Sequence, residues 1–223
     1  MSGTQTERLI EALAARAEPV KRLPHPAWRA LIWMTLASAS VIAIVLYWGV
    51  RSDLAQKLGE PRFVIEVAAA LLTSMMAAAA AFCSGCPGRP LWERFAPLPF
   101  LVVWLASLGA GCWTFLTSSA ATSQAFGIDL TCSQLILVLS LAPAAIMFVM
   151  IRRGAPIAPL TTAGLGTLAA TALAAVGLRF FHAQDTSLML LVWQFGTVLV
   201  LTAAGALIGQ WLQPWQHPRL EGI

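Results

Sequence analysis

Six stretches of about 20 residues or more, apolar and nearly free of charge, dominate this sequence: 28–50, 63–85, 95–116, 130–151, 160–181 and 187–212. A helix of that length crosses a hydrocarbon layer about 30 Å thick, and helices keep every backbone polar group paired inside lipid. The chain is 58% hydrophobic and only 11% charged, whereas an ordinary soluble domain carries about 25% charged residues. The expected fold is all-α, a polytopic membrane protein with six transmembrane helices over residues 28–212. What remains is a segment at 1–27, short loops and a tail at 213–223, so no second globular domain fits.

Basic residues set the orientation, because Lys and Arg near span ends stay on the cytoplasmic side. Arg8, Arg16, Lys21, Arg22 and Arg29 lie at or before the first span, Arg89 and Arg94 follow the second, Arg152 and Arg153 follow the fourth, and Arg219 follows the sixth. The opposite face keeps Arg51, Lys57, Arg62 and Arg179, accompanied by Asp53, Glu60, Asp129 and Asp185. Both termini are therefore expected in the cytoplasm of a bacterial inner membrane. The net charge of +4 is spread over loop ends with no dense basic run, which argues against direct nucleic-acid binding. Residues 1–23 lack the continuous apolar core of a secretory signal, so the first span reads as an uncleaved anchor.

Residues 1–27 differ from everything after them. Thr4 and Glu7 have capping-box spacing, and Leu9, Ile10, Leu13, Ala14 and Ala17 recur on one helical face, with Glu7, Arg8, Glu11 and Glu18 away from it. The sequence predicts a short amphipathic helix ended by Pro19. A helix of about 15 residues is marginal in water and needs a surface for its apolar face. That surface is either membrane lipid or a protein groove; as much acid as base on the polar face favours the groove.

Inside the spans, Gly205 and Gly209 have GxxxG spacing, and Ala77 to Ala81 form another small-residue run suited to close helix packing. Buried charge is scarce in the apolar stretches, and Glu66 and Arg179 are the only candidates for a proton or ion path. They are the candidates for a small metal-ion or solute transporter or channel, and a local ion pair or snorkelling explains them equally. No broken-helix repeat accompanies them.

The four cysteines divide between the two faces. Cys83 and Cys86 end the second span as a CxxC, half of a zinc site in a reducing compartment and weak evidence by itself. Cys112 and Cys132 lie near the outer ends of the third and fourth spans. Cys132 follows Asp129, and across the bundle His182 and Asp185 occupy the fifth loop. A thiol, an imidazole and two carboxylates at one face are reasonable transition-metal ligands, and a thiolate beside an imidazole is a more reactive thiol. Each is also an ordinary residue for its place. No catalytic or nucleotide-binding fingerprint appears, and an enzyme is not expected.

The runs Glu7 to Leu13, Pro19 to Pro24, Arg51 to Leu54, Pro61 to Phe63, Gly127 to Cys132, Arg152 to Pro156 and Leu178 to Asp185 with Trp193 resemble the NrsF family. That resemblance implies a membrane anti-sigma factor. Its N-terminal segment, here Leu9, Ile10, Leu13, Ala17 and Val20, would hold an extracytoplasmic-function sigma factor of the sigma F type. Release would follow an oxidant or heavy-metal stress signal sensed outside. The family's two outward cysteines match Cys132 and the position of His182, so that pair cannot form a disulfide here. Three arrangements remain: Cys132 bonded to Cys112, a metal ion held by Cys132 and His182, or modification of the thiol. The metal or thiol reading is preferred, and no cofactor is otherwise expected.

Overall fold

The structure, a computed structural model, describes residues 3–16, 24–86, 88–117, 130–154, 158–182 and 190–212. These residues form helices and no strand. In chain order they are α1 (Gly3–Arg16), α2 (Pro26–Trp48), α3 (Leu54–Leu58), α4 (Pro61–Ser84), a 3₁₀ turn at Leu91–Phe95, α5 (Leu98–Thr117), α6 (Leu130–Arg152), α7 (Pro159–Phe181), a π-helical turn at Leu190–Phe195 and α8 (Gly196–Leu212). Six of these helical stretches are long and apolar enough to cross a membrane. Pro starts α2, α4 and α7, where its missing N–H costs nothing.

The sixth span is not the uniform α-helix that its apolar run suggests. Its first described residues, Leu190–Phe195, wind as a π turn before α8 begins. The buried Gln194 lies in that turn and donates to the Ala175 carbonyl at 3.3 Å, so a polar residue finds an acceptor on the neighbouring helix.

α7 is the most enclosed helix. Every residue from Leu168 to Arg179 is buried, as in a helix that is apolar all round. Its small residues let α4 and α8 approach closely. On α8, Gly205 faces Thr167 and Gly209 faces Ala163, both on α7. Against α4 the seam carries polar pairs along its length. Arg179 reaches Glu66 at 3.1 Å, Ser74 Oγ donates to the Ala169 carbonyl at 2.7 Å, and Thr162 Oγ1 donates to Ser84 Oγ at 3.3 Å. Lipid tails are as apolar as the helix faces, so close packing and interhelical hydrogen bonds, each worth ~0.6–2 kcal/mol, must hold such a seam. α2 joins α6 through the Trp33 indole, which is fully buried and donates to the Pro143 carbonyl at 3.1 Å.

A methyl group added at Gly209 would run into Ala163, whereas one at Gly109 meets open space. Gly209→Ala should cost ~1–3 kcal/mol by overpacking and lower the unfolding midpoint in detergent, with Gly109→Ala as the unaffected control.

Candidate functional site

The bundle has a near end, where the N-terminal segment joins α2, and a far end at the starts of α4 and α6 and the ends of α5 and α7. Most of the thiol and imidazole residues singled out from sequence belong to the far end. Cys112 is a buried free thiol on α5. Cys132 is the third residue of α6; its side chain lies outside the described residues, as do Asp129 and Asp185 altogether. His182 caps α7, half-buried, its N–H bonded to the Leu178 carbonyl at 2.9 Å and its ring edge-on to Phe181. Among the described residues no three His, Cys, Asp or Glu side chains converge as a metal site would require.

The far end is instead organised by arginine. Glu66, 4% exposed, accepts from Arg62 Nε at 2.9 Å and from Arg179 at 3.1 Å. Arg62 lies one helical turn before Glu66, at the (i, i+4) spacing that brings side chains together. Arg179 comes from α7 and stacks over the Phe63 ring, 4.8 Å from its centroid. The Arg62 guanidinium occupies the space a side chain would need at Gly111, next to Cys112. One carboxylate thus joins α4 and α7, with its Arg62 partner seated against α5.

A second arginine finishes α7. Arg51 in the α2–α3 loop donates its backbone N–H to the Phe180 carbonyl at 3.0 Å and a guanidinium N–H to the His182 carbonyl at 3.4 Å. The last carbonyls of a helix lack partners within it and attract cations. The chain reaches this position through Gly49, whose φ of +93° favours glycine. Asp53 grips the same guanidinium with both oxygens at 2.7 Å. The Arg51 hydrogen bond holds the Asp53 carboxyl down at about 2. A depressed carboxyl keeps its stabilising charge above its ordinary value of 3.8 and loses it only as pH falls toward 2, so this tether is intact across the neutral range.

The near end carries its own chain of contacts. His25 caps α2, its Nδ1 accepting from the Ala27 N–H at 3.3 Å, while Nε2 lies 3.3 Å from Arg89. Arg89 pairs with Glu93 at 2.8 Å, which holds its guanidinium firmly charged. The Glu93 carboxylate neighbours the Cys83 thiol, and Cys86 Sγ lies 3.7 Å from the Phe82 carbonyl. The root of the N-terminal segment is therefore tied to the α4–α5 loop. The sequence offers a local ion pair as one account of Glu66 and Arg179, and the structure pairs the two at 3.1 Å; it gives no site role to Arg62, Arg51 or Arg89. The Arg62 and Glu66 spacing signals one further pair; nothing in the sequence signals the contact of His25 with Arg89.

α1 stands out at this end. Residues 4–15 are all exposed, and Leu9, Ile10 and Leu13 are 53%, 60% and 62% exposed. Ala17 and Val20 lie outside the described residues.

Residues 13–215 match the family described as NrsF, negative regulator of sigma F. No curated protein and no solved structure matches the chain. The match begins at Leu13, so the roles of Leu9 and Ile10 rest on the residues themselves.

Removing Glu66 takes their shared carboxylate from two guanidiniums at the far end. Glu66→Ala should destabilise the chain by ~3–5 kcal/mol, the usual cost of breaking a buried pair from one side, read as a drop in thermal midpoint in detergent. Lys57→Ala, in a surface pair with Glu60 at 2.9 Å, should cost less than about 1 kcal/mol.

Proposed function

The chain belongs to the NrsF family of negative regulators of sigma F, and from that premise we propose that α1 is the segment that captures the sigma factor. The observation that carries this reading is the exposed apolar face of Leu9, Ile10 and Leu13. A short helix with that face open is marginal alone and is completed by an apolar groove on a partner, the mode in which amphipathic helices dock. Ala17 and Val20 follow in the sequence as further apolar residues of the segment. The partner is an extracytoplasmic-function sigma factor of the sigma F type, held at the cytoplasmic face of the bacterial inner membrane and so kept from RNA polymerase. The distribution of Lys and Arg supports both termini lying in the cytoplasm, which places the near end inside and the far end outside.

Release begins at the far end, with Cys132 as the thiol that meets the stress signal and Cys112 and His182 at the same end of the bundle, near the ends of α5 and α7. The residue types at this face support modification of the Cys132 thiol or a metal ion held by Cys132 and His182. The route to the other face is α4, which holds Glu66 at one end and Cys83, beside the Glu93 and Arg89 link to His25, at the other. Moving the complex from mostly bound to mostly free needs about 5.5 kcal/mol of differential binding, so the far-end change must favour the released state by that much.

The test is sigma-factor binding by the full chain in nanodiscs. Leu13→Asp should weaken it at least tenfold, since burying one leucine is worth ~1.5–3 kcal/mol, with folding of the bundle unchanged. Cys132→Ser should keep binding and lose signal-dependent release. Unchanged binding by Leu13→Asp would remove α1 from the interface, and an unchanged response by Cys132→Ser would remove that thiol from sensing.

A further inference from the structure

Between α2 and α6, at the near end, a cleft of about 490 Å³ opens. Pro24, Arg29 and Arg153 stand among its lining residues, and Ile32, Leu36 and Val149 carry it away from that end. From Arg29 to Leu36 along α2 the rise is roughly 10 Å at 1.5 Å per residue, most of the ~15 Å depth of one leaflet. The cleft thus has a cationic mouth and an apolar length.

Arg29 sets its chemistry. The residue is 6% exposed, and its guanidinium lies 4.5 Å from the Phe82 ring centroid. NH2 donates to the Met150 carbonyl at 2.6 Å. A guanidinium has five N–H donors, and this is the one hydrogen bond it makes among the described residues. No carboxylate pairs with it there either. Arg153, exposed just past the end of α6, acts on it as a repulsion. Two arginines lining an apolar cleft, with no counter-anion among the described residues, call for an anion that brings its own apolar tail. An acidic peptide would satisfy the arginines and leave the groove along Ile32 and Leu36 empty; a membrane lipid satisfies both.

We propose that this cleft binds an anionic phospholipid, its headgroup phosphate between Arg29 and Arg153 and an acyl chain along Ile32, Leu36 and Val149. Basic pockets between transmembrane helices recognise anionic headgroups in this way. Because Pro24 lines the mouth and His25 caps α2, the bound lipid fixes the link through which the N-terminal segment leaves the bundle. The site does not depend on what that segment captures.

The full chain in a nonionic detergent supplies the test, by native mass spectrometry and thermal midpoint, with phosphatidylglycerol, phosphatidylcholine and inorganic phosphate added separately. Phosphatidylglycerol should bind and raise the midpoint, and the other two should not. Arg153→Gln, at an exposed position that the fold does not need, should weaken phosphatidylglycerol binding about fivefold, the equivalent of ~1 kcal/mol for one basic residue. Arg94→Gln, an arginine at the same end but outside the cleft, should leave it unchanged. Deleting residues 1–16 should also leave it unchanged. Equal binding of the two lipids, stabilisation by phosphate alone, or equal losses for Arg153→Gln and Arg94→Gln would each overturn the proposal. So would tighter lipid binding after the deletion, which would identify the N-terminal segment, through Glu7 or Glu11, as the occupant.

Discussion

Glu66 has to neutralise charge inside an apolar bundle, and much of the far end follows from how it does so. Two arginines reach it from different helices, at 2.9 and 3.1 Å. A charged group set into hydrocarbon is expensive unless paired, so each partner is constrained in turn. Arg179 is held over Phe63. Arg62, as seated, fills the space that a side chain at position 111 would need. With Arg179 fixed, the end of α7 is fixed, and Arg51 can bind the carbonyls of Phe180 and His182. The ion pair accounts for the charges that would otherwise suggest a conduction path.

The same helix that holds Glu66 ends beside the root of the N-terminal segment. α4 is joined to α7 at Glu66, Ser74 and Ser84, and its final turn carries Cys83 next to Glu93. From there the contacts run through Arg89 to His25. Such a path is a contiguous physical connection, and it becomes a switch where one of its links has two arrangements. In the proposed mechanism that link is the contact between His25 and the α4–α5 loop, the least buried polar contact of the series.

The spans were legible because an apolar run of about 20 residues has few other stable outcomes, and α1 because its leucines and isoleucine recur at helical spacing. GxxxG spacing at Gly205 and Gly209 likewise identified a close contact that the structure makes with α7. What the sequence left open are the pairings between helices. Arg62 and Glu66 are neighbours in sequence, but Arg179 lies more than a hundred positions away, and no local pattern says that the two meet. Ser74, Ser84 and Thr162 read as minor polar interruptions of apolar spans; their role depends on which helix each one faces. The π turn at Leu190–Phe195 was hidden for a similar reason, since its apolar composition suits an α-helix as well. Cys112 and His182, expected near one face, both lie at the far end of the bundle, and the arginines there organise its packing.

Hydrogen–deuterium exchange on the full chain in nanodiscs, with and without the sigma factor, tests the central claim most directly. Amides of residues 4–15 exchange freely in the chain alone, as an exposed marginal helix requires, and become protected when the sigma factor is added, while the 49–60 loop at the far end is unchanged. Protection confined to the loops between spans, with residues 4–15 still exchanging freely in the bound complex, would contradict the account.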